Sequence, residues 1–170
     1  MMTRSIRDSR HLRRHETRDT SSKLGIAAVA LFSFARSKPE RAAILPPPID
    51  PRWARSAKGR FYRLVQLDSD QVTFPNGPAV FVIWHGGVKP GWVYVGRTSN
   101  LSAELKERSA DSDILFYHKH GGLSVSWASV KPEFQGGVVR YLIDVMKPLV
   151  DNPAEVRNDS DPVPVIRPGA

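Results

Sequence analysis

The chain has 170 residues, no cysteine and a formal charge of +8. This length suits one domain with accessory segments, and the missing cysteines exclude a disulfide framework, thiol chemistry and a Cys-based zinc site. Residues 1–55 carry 12 Lys/Arg against 5 Asp/Glu, whereas residues 56–155 carry 11 against 10, so the basicity belongs to an N-terminal arm.

Residues 1–22 are rich in Arg, Ser and Asp, with almost no apolar content, a composition that cannot pay the entropy of folding. Such an arm can attract phosphate backbones nonspecifically, or can be no more than a solvated leader. The apolar stretch from Leu24 to Ala35 is 12 residues long, too short for a bilayer span of about 20. It reads as a short packing helix, or as the core of an export signal ending at Ser33-Phe34-Ala35. Asp8, Glu16 and Asp19 in the basic region count against export, and the expected location is cytoplasmic. Leu45-Pro46-Pro47-Pro48 is a stiff linker. Phe61, Leu64 and Val65, at i, i+3 and i+4, predict an amphipathic helix within Trp53–Leu67, which Gly59 weakens.

From Pro78 the pattern is sharper. Val80–Trp84 is an apolar, β-branched and aromatic run, as expected of a buried strand. His85-Gly86-Gly87 through Pro90-Gly91 is turn chemistry, and Trp92–Val95 completes a hairpin. Asn100 is a suitable N-cap for a helix from Leu101 to about Arg108, with Leu101 and Leu105 on its buried face. Leu123, Val125 and Trp127 alternate with small residues, predicting a third strand with one face buried. Gly136-Gly137 is expected to open a last helix, carried by Val138, Tyr141, Leu142, Val145 and Met146 and closed by Pro148. The expected class is α+β, a small antiparallel or mixed three-stranded sheet in β-β-α-β-α order with flanking helices. The expected organisation is an arm over 1–45, a linker and accessory segment over 46–76, a domain over 77–153 and a flexible tail over 154–170.

Within the domain, Ala79-Val80-Phe81 and Tyr94-Val95-Gly96 stand on the two hairpin strands. Arg97-Thr98-Ser99-Asn100-Leu101 leads into the first helix, and Val138–Leu142 followed by Lys147-Pro148 closes the last. In order and spacing these motifs resemble the GIY-YIG nuclease superfamily over about residues 77–153. The resemblance implies nucleic-acid processing, with DNA as partner and a single divalent metal, Mg or Mn, in an active copy. In that family two tyrosines, a helix arginine and a metal-holding glutamate form the site. Tyr94 matches one tyrosine, while Phe81 stands for the other, Glu104 for the arginine and Val139 for the glutamate. The resemblance further implies that positions 104 and 139 face the Tyr94 hydroxyl across one surface. Without the guanidinium and the carboxylate, transition-state charge goes uncompensated, so the expected role is a degraded, non-catalytic DNA-binding module. The alternatives are an active endonuclease with rearranged residues and a structural or protein-interaction domain. Arg97, Asn100, Arg108 and Arg140 are the candidate nucleic-acid contacts, although Arg108 can instead pair with Glu104 one turn away. Asn152 is a looser candidate for a late asparagine of that family. His118-Lys119-His120, read as a strand, can form half a metal site or simply a polar hairpin. Trp84, Trp92 and Trp127 read first as packing residues, and as base-stacking platforms only where exposed.

Overall fold

The computed structural model describes residues 45–67 and 72–169, which belong to one compact unit spanning Ala42–Ala170. The expectations for the basic arm, the Leu24–Ala35 run and its cleavage site lie outside the described residues. The elements in order are β1 (Tyr62–Arg63), β2 (Ala79–His85), β3 (Gly91–Thr98), α1 (Leu101–Arg108), α2 (Ser112–Leu115), β4 (Leu123–Ser129) and α3 (Pro132–Met146). All strands pair antiparallel in one sheet of order β1-β4-β2-β3. The α+β class is as expected, but the sheet has four strands rather than three.

The extra strand lies where a helix was expected. Trp53–Leu67 is not helical apart from a 3-10 turn at Leu64–Gln66. Gly59 sits in a turn at φ +72°, and Tyr62 then pairs with Val125. Stacking of Tyr62 on Trp127 at 4.9 Å makes tertiary contact outweigh a weak helical period.

Strand alternation divides the core. Ala79, Phe81 and Ile83 point to one face, where they meet Tyr94, Leu101, Leu105, Ile114 and Trp127. Val80 and Val82 point to the other, against Val95, Val138, Val139, Leu142 and Met146 of β3 and α3. Each fully buried Val, Leu or Phe in these layers contributes roughly 1.5–3 kcal/mol of transfer free energy. The helices and flanking segments thus cover both faces. The small residues Ser126 and Ala128 of β4 are covered too: both are buried, and Ser126 donates to the Ala54 carbonyl at 2.7 Å.

Helix α3 starts at Pro132, its first residue, rather than at Gly136-Gly137. The double glycine instead marks a crossing. A Cβ at Gly136 would lie 2.3 Å from Ser160 Oγ, and one at Gly137 would lie 2.3 Å from the Asp161 carbonyl. The C-terminal segment crosses α3 there, and Val163 N–H donates to the Gly137 carbonyl at 2.9 Å. Residues after Pro153 are therefore packed rather than loose: Val165 is buried and bridges Ile49 in parallel. Trp53 Nε1 donates to the Ile166 carbonyl at 2.6 Å, tying the 46–76 segment to the same face. The α3 helix ends at Lys147 in a left-handed conformation, just before Pro148. The chain then runs along edge strand β3, with Leu149 and Val150 N–H donating to the carbonyls of Trp92 and Val93, which blunts the edge.

Candidate functional site

Phe81 and Tyr94 lie on neighbouring strands with their rings 5.8 Å apart. Gly96 makes room for them, since a Cβ there would approach the Phe81 ring to 2.7 Å and the Tyr94 ring to 2.9 Å. Both aromatics are buried, Phe81 fully. Helix α1 begins with Asn100 Oδ1 accepting from Ala103 N–H at 3.2 Å. This cap directs the Glu104–Arg108 turn towards Tyr94, where the Arg108 guanidinium carbon is 5.5 Å from the Tyr94 ring centre.

Arg108 is held by carboxylates on three sides. Nη1 donates to Asp111 at 3.0 Å, Nη2 pairs with Glu107, and Nε lies 3.1 Å from Glu104. The last contact is an ion pair by distance only, because the Nε–H is not aligned for a hydrogen bond. The expected pairing of Arg108 with Glu104 is therefore present, with two further acids added. Burial alone would lower the Arg108 pKa, but Tyr94 and the three carboxylates outweigh it and raise the value. Burial pushes the Tyr94 hydroxyl up to about 12; Glu104, Asp111 and Glu155 add to the shift and Arg108 opposes it. The tyrosine is consequently a neutral phenol near pH 7, able to donate a hydrogen bond but not to act as a base.

Val139 is not part of this arrangement. It is fully buried, in the layer on the opposite face of the sheet from Phe81 and Tyr94. The expectation that positions 104 and 139 share one surface with the Tyr94 hydroxyl is thereby corrected. The reason is α3, whose apolar side faces Val80, Val82 and Val95.

The remaining candidate contacts have partners within the chain. Arg97 Nε donates to Glu155 at 2.7 Å, and that carboxylate is only 2% exposed. Asn158 donates both to Glu155 and to the Gly136 carbonyl. Arg140 bonds Asp144 at 3.2 Å and the Asn158 carbonyl at 2.6 Å. Asn152 donates to the Val95 carbonyl and caps the turn at Pro153–Glu155. Sequence reasoning missed Glu155 as the buried partner of Arg97, since nothing local in a Pro- and Asp-rich tail signals burial. Trp127 is core, whereas Trp84 and Trp92 are half-buried and pair across the hairpin at 5.7 Å.

His118 and His120 lie on a 3-10 turn over Phe116–His120, not on a strand, so their rings do not share a strand face. His85 is the last residue of β2 rather than part of the turn, and it is buried. Among the described residues no group of three or more His, Cys, Asp or Glu side chains is placed to hold a metal ion. No protein-family model, curated protein or solved structure matches this chain.

Proposed function

We propose that the protein is a non-catalytic nucleic-acid-binding module of GIY-YIG-like ancestry, whose attraction for DNA comes mainly from its basic arm. The surroundings of Arg108 carry the non-catalytic part. A phosphodiester brought to Tyr94 would meet three carboxylates and one cation already engaged by all of them, a field that repels the charge developing in hydrolysis. The uneven charge supports the binding part: 12 basic against 5 acidic residues over 1–55, near balance over 56–155. Arg97, Arg108 and Arg140, each in an ion pair, add little free positive charge to the domain.

Fluorescence anisotropy on duplex DNA tests this reading. The full chain is expected to bind with a steep salt dependence, log K falling by about 0.9 per phosphate neutralised for each decade of salt. A chain beginning at Leu45, which keeps the Ile49 bridge to Val165, should bind far more weakly and with a smaller slope. Equal affinity and slope for the two chains, or no binding by the full chain at low salt, refutes the role of the arm.

A further inference from the structure

The chain contains the triplet His-Gly-Gly twice, at His85-Gly86-Gly87 and at His120-Gly121-Gly122, and the fold packs the two against each other. A Cβ at Gly87 would lie 2.1 Å from the His120 carbonyl oxygen, and one at Gly121 would lie 2.8 Å from Gly87 N. Only glycine permits that approach, and it sets the imidazoles of His85 and His120 with their centres 5.6 Å apart. Beside them opens a cleft of about 590 Å³ whose ionisable lining is His85, Lys89, Lys119 and His120, without a carboxylate.

His85 is 6% exposed, and its Nδ1 is buried with no hydrogen-bond partner. That nitrogen faces Gly87, where a Cβ would be 3.5 Å away, while Nε2 faces Gly91. A buried polar atom without a partner is costly, so the wall of the cleft at His85 is not fully satisfied by the chain itself. The lysines and histidines lining the cleft, with no carboxylate among them, suit an anion better than a cation. Lys119 rests over the Phe116 ring, its Nζ 3.8 Å from the ring centre.

We propose that this cleft binds a phosphate monoester, its terminal dianion received by His120, Lys89 and Lys119, with the buried His85 imidazole forming the wall behind them. Several donors approaching from different residues suit a group with three acceptor oxygens. The volume falls in the range of small-molecule sites and leaves space for the group esterified to the phosphate. This site lies apart from Tyr94 and Arg108 and stands whether or not the basic arm binds DNA.

The test uses the full-length, ¹⁵N-labelled chain, following the imidazole nitrogens and glycine amides by NMR while inorganic phosphate is added against chloride at constant ionic strength. A saturable displacement at His85, His120 and Gly87 is expected. Lys89→Gln and Lys119→Gln should each weaken the phosphate about tenfold, the loss of one charge-assisted hydrogen bond, without moving the thermal transition. Two further arms separate the sources of the phosphate. Tighter binding of a nucleoside 5′-monophosphate than of a 5′-phosphorylated oligonucleotide supports a free small molecule. A gain for the 5′-phosphorylated over the 5′-hydroxyl oligonucleotide, lost in Lys119→Gln, supports a nucleic-acid end. Shifts no larger with phosphate than with chloride, or wild-type phosphate affinity in both lysine variants, overturn the proposal.

Discussion

Tyr94 illustrates how burial and neighbouring charge set the chemistry of a side chain. Its hydroxyl is pushed up from the ordinary 10.0 to about 12, because burial disfavours the phenolate and three nearby carboxylates add to that against the opposing Arg108. A raised pKa means that between those values the folded state holds a proton that the unfolded state has released. Stability from this group is therefore complete below pH 10 and falls as the pH rises towards about 12. Thermal unfolding between pH 8 and 11 should show wild-type stability dropping above pH 10 more steeply than that of Tyr94→Phe; parallel curves would contradict this. Val139 gives the opposite lesson. Fully buried in a cluster of valines with Leu142 and Met146, it offers a carboxylate no solvent. Val139→Glu should cost at least about 2 kcal/mol in denaturant unfolding, and adding Glu104→Arg and Phe81→Tyr should not create metal-dependent cleavage. A triple variant that folds normally and cuts DNA would show that position 139 reaches the site.

Among the elements, α3 shows how packing reverses a propensity rule. Glycine inside a helix normally costs about 1 kcal/mol relative to alanine, so Gly137→Ala read locally should stabilise. The Asp161 carbonyl would stand 2.3 Å from the new Cβ, with Val163 Cγ2 at 2.7 Å, so the crossing segment must move. Gly137→Ala is expected to lower the thermal transition by the equivalent of about 1–3 kcal/mol, and to expose the 158–165 segment to faster amide exchange. A higher melting temperature would mean that the crossing is loose. Helix α1 behaves as its sequence suggests. Loss of the Asn100 cap on Ala103 in Asn100→Ala should cost about 1 kcal/mol in denaturant unfolding; under the proposed arm-driven binding, DNA affinity should not change.

At the scale of the molecule, the proposed division is between a charged arm that attracts and a near-neutral domain that does not cut. Incubated with single-stranded, duplex and branched DNA in Mg²⁺ or Mn²⁺, the full chain should give no products above background. Cleavage that disappears on Ala substitution of Arg108, His118 or His120 would establish a rebuilt site instead.

The hairpin, the first helix and the third expected strand were legible because each is written in local pattern. Val80–Trp84 and Leu123–Trp127 carry strand chemistry, and Asn100 with Leu101 and Leu105 carries a cap and a helical period. The burial of Glu155, the route of residues 158–165 across Gly136-Gly137, and Tyr62–Arg63 as a strand were not legible. Each depends on a partner far along the chain and has no local period. The same holds for the candidate sites. The sequence by itself determined which side chains stand at positions 81, 104 and 139, and how charge divides between arm and domain. Only the tertiary structure decided that Val139 lies across the sheet from Tyr94, that Arg108 is surrounded by acids, and that two His-Gly-Gly triplets meet. Side-chain direction fixes residue type along a strand, but which face a distant helix covers is decided by packing.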